Sequence, residues 1–180
     1  MDNKFIKFSG VFLLVLIILA VFPWIMSKIN NYQSKKINNV SVNMSEFTKE
    51  TVNKIVIKKG NDEKTLYYKD KQWFIGENEA DENKINELFQ DFSEMKIKEM
   101  VSNNEENWKK FETTKDTGFQ LIVTQNGKEH IFFLGKIGPT NNDFYIRKEG
   151  IKNVYLVQGE LRDKLLWEKE KWKKTAEDKK

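Results

Sequence analysis

The sequence predicts an α+β domain of two antiparallel β-meanders, each followed by an amphipathic helix, behind one N-terminal transmembrane helix. Three observations support this fold class. Residues 8–27 contain no charge, apolar and polar residues alternate in two regions after residue 54, and apolar residues recur every three to four positions from Ile85 to Phe92. Such patterns are typical of a membrane span, of β-strands and of an amphipathic helix, respectively.

Residues 8–27 predict a transmembrane signal anchor that follows a short N-terminal tail, residues 1–7. Eleven of the twelve residues from Val11 to Phe22 are Val, Ile, Leu or Phe. A helix of this length spans roughly 30 Å, the thickness of the hydrocarbon core of a bilayer. A cleaved signal peptide is the alternative, but Pro-Trp-Ile-Met follows Phe22, where cleavage requires small residues. We therefore expect the anchor to be retained.

The residues that flank the anchor are expected to lie at the membrane–water interface; they are Trp24, Lys4, Lys7 and Lys28. Lysines stand on both sides, so charge does not decide the orientation. Because a short N-terminus before a first hydrophobic segment usually stays in the cytoplasm, we expect a single-pass cell-membrane protein with its domain outside. The chain has no cysteine, which excludes lipoprotein attachment and is compatible with an oxidising exterior.

The charge pattern argues against a nucleic-acid partner. The chain carries 31 Lys and Arg against 27 Asp and Glu, a net charge of +4, and the two signs are interspersed. The sequence has neither the basic stripe nor the arginine cluster that nucleic-acid binding favours. This composition is typical of a solvated surface of mixed charge.

Residues 28–53 are expected to form a polar tether, because Asn, Lys and Ser dominate and apolar residues are sparse. The predicted α+β domain occupies residues 54–167. Its first meander consists of three strands with alternating apolar pairs, which are Ile55 and Ile57, Leu66 and Tyr68, and Trp73 and Ile75.

Asp81 is the expected N-cap of the helix that follows the first meander. Ile85, Leu88, Phe89 and Phe92 then repeat at i, i+3, i+4 and i+7. This spacing places all four side chains on one helical face, which we expect to cover the sheet.

A strand through Ile97 and Val101, then a short helix containing Trp108 and Phe111, lead to the second meander. This meander begins near Gly118, and Asn126-Gly127 predicts a two-residue hairpin within it. Strands at residues 144–148 and 153–157 complete it. A final helix is expected at residues 160–174, with a charged helix end or tail at 168–180.

The two halves align crudely through the segments IVIKKGNDEKTLYY and LIVTQNGKEHIFFL. This likeness is typical of an internal duplication of a meander–helix unit. Two unrelated α+β segments would give the same outline, so both interpretations stay open.

The sequence contains no recognisable catalytic, cofactor-binding or metal-binding constellation. His130 is the only histidine, and on its predicted strand it shares a face with Phe132 and Leu134. A catalytic triad or a histidine-rich metal site would have to be built on it. We therefore interpret His130 as a partly buried strand residue and expect a non-enzymatic protein.

Trp172 is the best candidate for an exposed apolar contact with a partner. Trp73 and Trp108 each lie within an apolar period, which favours the core. Trp172 lies beyond the densest part of its own pattern.

Between Val52 and Leu166 the sequence resembles the bacterial domain of unknown function 4340 (DUF4340). The resemblance rests on Trp73 at the end of the first meander, Ala80-Asp81, Phe111, Gly135, and Tyr145-Ile146-Arg147 before Val154-Tyr155-Leu156. These are mostly fold-keeping positions, and Tyr145 and Arg147 join Trp172 as candidate interaction residues. The family pattern usually has Gly-Leu after the position of Phe111, where this chain has Glu112-Thr113.

The resemblance implies a membrane-anchored envelope protein, often encoded beside ABC transporter components. We therefore expect an extracytoplasmic accessory domain that binds another envelope protein, with an ABC transporter component as a candidate. A module that binds cell-wall glycan or peptide is the alternative, and an enzyme is the third, disfavoured hypothesis. An exposed apolar patch would favour the first and an aromatic cleft the second.

Overall fold

The computed structural model describes residues 41–175. The anchor predicted at residues 8–27 and its interface residues Trp24, Lys4, Lys7 and Lys28 lie outside this range. Among the helices of residues 41–175, none has the length and apolar character that crossing a membrane requires.

A single antiparallel sheet organises the domain. Its strands are β1 (Val52–Lys59), β2 (Asp62–Lys69), β3 (Gln72–Ile75), β4 (Asn78–Glu79), β5 (Lys96–Ser102), β6 (Phe119–Gln125), β7 (Lys128–Ile137), β8 (Asp143–Lys148) and β9 (Val154–Gln158). The strand order is β4-β3-β2-β1-β6-β7-β8-β9-β5. Strands β1 to β4 form one meander and β6 to β9 form another, and the two are joined where β1 pairs with β6. The described region is thus mostly antiparallel sheet with two short helices, which fits the predicted α+β class.

Helix α1 (Glu82–Glu94) begins and packs as the sequence predicts. Asp81 caps it, because its Oδ1 accepts a hydrogen bond from the backbone N–H of Asn83 at 2.8 Å. The four apolar residues of the predicted face are all buried. Phe89 lies 5.6 Å, between ring centroids, from Trp73 on β3, which places this face against the sheet.

The final helix expected at residues 160–174 is wrong. Helix α2 ends after one turn (Leu161–Leu165), and a short 3-10 helix follows at Lys169–Trp172. The Trp172 carbonyl accepts a hydrogen bond from the Asp81 N–H at 2.8 Å, and Ala80 forms a β-bridge with Lys173. This segment pairs with the entrance to α1, so its backbone groups satisfy tertiary partners instead of continuing a helix.

The domain-side boundary of the predicted tether is also wrong. Val42 and Met44 are completely buried, and Phe47 is 2% exposed. The Phe47 ring packs on His130 and Phe132 of β7, with centroid distances of 5.0 and 5.8 Å. Residues 41–53 therefore belong to the domain, and only the part of the tether at residues 28–40 lies outside the described range.

The hairpin at Asn126-Gly127 is confirmed. Both residues have positive φ, 52° and 78°, as a two-residue turn of the hairpin type requires. Gln125 pairs with Lys128 directly across the turn, and this register continues to Phe119 opposite Leu134. The turn therefore sets which side chains of β6 and β7 face the helices.

Candidate functional site

An open cleft of about 740 Å³ lies between the C-terminal half of α1 and the turn that joins β9 to α2. Its ionisable lining residues are the carboxylates of Glu87, Asp91, Glu94 and Glu160 and the ammonium groups of Lys96 and Lys164. The amide side chains in its wall are Gln90, Asn142 and Gln158. Carboxylates outnumber ammonium groups, so the cleft is negatively charged and polar.

The spacing of α1 creates the acidic wall. Glu87, Asp91 and Glu94 stand at i, i+4 and i+7, so they follow one face of the helix beside its buried apolar face. The opposite wall comes from α2, where Lys164 projects toward α1. The Lys164 Nζ lies 3.1 Å from Asp91 Oδ2 and 3.6 Å from Glu87 Oε2.

Lys164 is the deepest charge of the cleft. Its side chain is 9% exposed, and Asp91 is nearly as enclosed at 11%. Besides its contact with Lys164, Asp91 Oδ2 has no hydrogen-bond partner within residues 41–175. The buried ammonium group of Lys164 thus links α2 to α1 through the carboxylates of Asp91 and Glu87, whose oxygens it does not fully satisfy.

The two carboxylates that flank Lys164 are shifted in opposite directions. Burial raises the pKa of Asp91, and the nearby Glu160 and Glu94 raise it further, against the effect of Lys164. A hydrogen bond from Lys84 lowers the pKa of Glu87, and the charge of Lys164 lowers it further. Of these two carboxylates, Asp91 is therefore the one whose charged form its surroundings stabilise less.

His130 is not among the residues that line the cleft, and the hydroxyl of Ser93, which does line it, is engaged within α1. The hydroxyl of Ser93 donates to the Gln90 carbonyl in the preceding turn of α1 at 2.8 Å. His130 is partly buried, as expected, and its side chain forms no hydrogen bond within the described range. Within residues 41–175, no three His, Cys, Asp or Glu residues are placed to hold a metal ion together.

The expectation that Trp172 is exposed is wrong. Its side chain is 0% exposed, and its ring packs 5.1 Å from that of Trp167. Trp172 is a lone buried residue at the end of a short 3-10 helix, so no apolar period surrounds it. A sequence pattern cannot distinguish such an anchor from a surface residue.

Tyr145 and Arg147 hold the connection between β5 and β6 against the sheet. The Tyr145 ring lies 4.6 Å from Phe111. Arg147 is 4% exposed, and its guanidinium carbon lies 3.8 Å from the centroid of Trp108 and 4.4 Å from that of Phe133. Burial lowers the pKa of Arg147. Both candidate interaction residues are therefore packed within the fold.

The connection between β5 and β6 also explains why position 135 is a glycine. A Cβ atom at this position would overlap the Phe111 carbonyl oxygen and would lie 3.0 Å from the Thr113 methyl group. The Lys136 N–H donates to that Phe111 carbonyl at 3.3 Å. Gly135 thus permits a close approach between β7 and the connection.

Sequence reasoning missed the cleft. Its only signal was the acidic stripe along α1, a pattern that usually marks a solvated helix face. Lys164 carried no signal, because nothing in the sequence shows that its short helix lies against α1.

A search of the curated proteins and a search of the solved structures each found no match. The model of a protein family, "Domain of unknown function (DUF4340)", matches residues 73–177, which is more than half of the chain. The match includes α1, the second meander and the cleft, and it begins after β1 and β2. The chain belongs to the DUF4340 family.

Proposed function

We propose that this protein is a non-enzymatic accessory domain, anchored in the cell membrane and exposed outside the cytoplasm, that binds another envelope protein. The partner inserts a positively charged segment into the cleft. A component of an ABC transporter is the candidate partner implied by the family resemblance.

The net negative charge of the cleft supports this proposal. Asp91, with its raised pKa and incompletely satisfied oxygen, lies beside the exposed carboxylates Glu94 and Glu160. A lysine or arginine side chain of a partner would relieve this local excess of negative charge. The cleft is open, which suits a segment of a protein more than an enclosed small molecule.

A module for cell-wall glycan or peptide is the second hypothesis from the sequence. No aromatic side chain is among the described residues that line the cleft. Sugar-binding sites commonly use such rings as stacking platforms, so the lining favours a peptide or protein segment over a glycan.

Photo-cross-linking in native membranes tests this function. A photoreactive amino acid at Ser93 or Gln158, at the cleft, should capture a discrete membrane protein, whereas the same group at the exposed Lys115 should not. Glu160→Lys should lower the yield about tenfold, since reversing one charge beside a cation costs on the order of 1–2 kcal/mol.

Glu160 suits this experiment because it is exposed and its side chain makes no capping hydrogen bond to α2. Glu77→Lys is the matched control, at an exposed carboxylate outside the cleft. Equal adducts from the cleft positions and from Lys115, or no effect of Glu160→Lys, would refute the proposal.

A further inference from the structure

Three lysines surround the indole ring of Trp167. The Nζ atoms of Lys171, Lys164 and Lys84 lie 3.9, 5.2 and 5.4 Å from the ring centroid. They come from the 3-10 helix, α2 and α1, respectively. We call these four residues the Trp167 cluster.

The cluster is only partly neutralised. Glu87 pairs with Lys84 at 3.0 Å and with Lys164 at 3.6 Å, and Asp91 also pairs with Lys164. Within residues 41–175, no carboxylate lies within ion-pair distance of Lys171, whose ammonium contacts only the Trp167 ring. Three ammonium groups are therefore gathered against two carboxylates, and both carboxylates lie on the side of α1.

The ring that gathers these lysines is firmly placed. Trp167 packs on Trp172, which is fully buried and whose carbonyl bonds to the Asp81 N–H. Trp167 itself is half-buried, and the adjacent Leu166 is 47% exposed. The cluster is thus a fixed aromatic surface with three lysines around it, of which Lys164 is buried and Lys171 is exposed to solvent.

Glu87 pairs with both Lys84 and Lys164, but stacking on the indole is a weak reason for Lys171 to join them as a third like charge. Each exposed cation–π contact is modest, and the ammonium groups repel one another. A bound anion would attract all three ammonium groups and so offset their mutual repulsion. Lysine is a point-charge donor that commonly binds phosphate, whose several oxygens accept from separate ammonium groups.

We propose that the Trp167 cluster is a binding site for a phosphate group, contacted by Lys84 and Lys171 and, at its inner side, by Lys164. The phosphate belongs either to a lipid headgroup or to a soluble phosphate-bearing molecule of the envelope. This site shares Lys164 with the cleft, whereas Lys84 and Lys171 are not among the residues that line the cleft.

Fluorine NMR on the full chain in phosphatidylcholine nanodiscs tests the site. The five tryptophans are labelled with 5-fluorotryptophan, and Trp167→Phe assigns the resonance of Trp167. Inorganic phosphate should shift this resonance saturably, whereas Trp73 and Trp108 should not respond. Sodium chloride at matched ionic strength should leave all of them unchanged.

Substitutions distinguish a specific phosphate site from a general attraction between phosphate and the positive charges of the protein. Lys84→Gln with Lys171→Gln should weaken the phosphate response about tenfold or more, since two charge-assisted contacts are lost. Lys115→Gln with Lys128→Gln, at exposed lysines elsewhere, should leave it unchanged. Lys84 pairs with Glu87 of the cleft, but Lys171 does not line the cleft and has no ion-pair partner within residues 41–175, so Lys171→Gln alone should weaken the phosphate response without changing the cross-linking in the cleft.

Lipid composition identifies the source of the phosphate. If it is a headgroup, nanodiscs with one third phosphatidylglycerol should shift the Trp167 resonance without added phosphate, and the double variant should abolish that shift. If the phosphate belongs to a soluble molecule, only added phosphate should shift the Trp167 resonance. An equal response to chloride, an equal response in the double variant, or no response of Trp167 in either arm would overturn the proposal.

Discussion

The Thr113 carbonyl oxygen accepts a hydrogen bond from Arg147 Nε at 3.1 Å. Thr113 is completely buried, and Arg147 is an arginine without an ion pair inside residues 41–175. The guanidinium therefore binds backbone oxygens and two aromatic rings instead of a carboxylate. Its role in this fold is to fix the connection between β5 and β6.

Arg147→Met should lower the free energy of unfolding by about 2–3 kcal/mol, because the Thr113 carbonyl loses a charged donor while it stays buried. Urea titration of a soluble fragment of residues 41–180 measures this change. Arg147→Lys keeps the charge but not the planar donor fork, so it should recover only part of the loss. A change below about 0.5 kcal/mol would contradict the role assigned to Arg147.

Glu112→Gly should stabilise the domain. Glu112 has a φ of 56°, in the left-handed region that favours glycine. Relief of this strain exceeds the larger conformational entropy of glycine in the unfolded chain, and we expect a gain of about 0.5–1 kcal/mol. Lys115→Gly, whose position has no positive φ, is the control and should destabilise. Loss of stability in Glu112→Gly would show that the glutamate makes a contact that outweighs the strain.

Phe89→Ala should destabilise the domain by about 3–5 kcal/mol. Phe89 is 9% exposed and packs against both Trp73 and Phe92, so its removal leaves a cavity between α1 and the sheet. The neighbouring exposed Gln90 offers the control, Gln90→Ala. If Phe89→Ala costs less than about 1 kcal/mol in urea titration, the helix–sheet contact is not a main source of stability.

Stability should fall as the pH falls through the pKa of His130. Burial lowers this pKa from its ordinary value of 6.5, and Lys148 and Lys128 lower it further, against Glu46. The folded state therefore favours the neutral ring, while the unfolded state takes up a proton near pH 6.5. The stabilising contribution is complete above that value and is lost as the pH falls through the lower, folded-state pKa.

His130→Gln should remove this part of the pH dependence while biological function is retained at normal protein abundance. Urea midpoints of the wild-type and His130→Gln proteins are measured above and below pH 6.5, so that the contribution of His130 is obtained as the difference between the two proteins. Complementation of a deletion strain, with an immunoblot, tests the function. A null phenotype at normal abundance would favour an enzyme, since His130 is the chain's only histidine.

A cysteine at position 34 should react with an impermeant maleimide in intact cells. The chain has no cysteine of its own, so Ser34→Cys provides a single label next to the predicted anchor. Asn3→Cys, before the anchor, is the control and should react only after lysis. Reaction of Ser34→Cys only after lysis would place the domain in the cytoplasm.

Local patterns were sufficient for most elements of the fold. The apolar period of α1, its Asp81 cap and the Asn126-Gly127 turn each act within a few residues, so the sequence shows them directly. Val42, Met44 and Phe47 were assigned to a tether because three separated apolar residues make no period. All three are buried, and Phe47 contacts both Phe92 of α1 and Phe132 of β7, which only the tertiary structure brings together.

The candidate sites were less predictable, because they are formed by residues distant in the chain. Lys164 meets Asp91 and Glu87 only because α2 packs beside α1. The left-handed backbone of Glu112 follows from its φ of 56°, a value that the residue type alone does not show. For Trp172 the sequence pattern was misleading, because this single aromatic residue in a charged segment is buried in the core.

The position of β1 has a mechanical consequence. This strand is hydrogen-bonded to β2 on one side and to β6 on the other, and the chain enters it directly from the segment that carries Phe47. A force applied at Ser41 would first act on the packing of Phe47. It would then act on β1, which is not an edge strand, so the hydrogen bonds to β2 and to β6 would have to break together. The unfolding rate under load is then governed by breaking both ladders, so the domain should resist pulling from its N-terminal side.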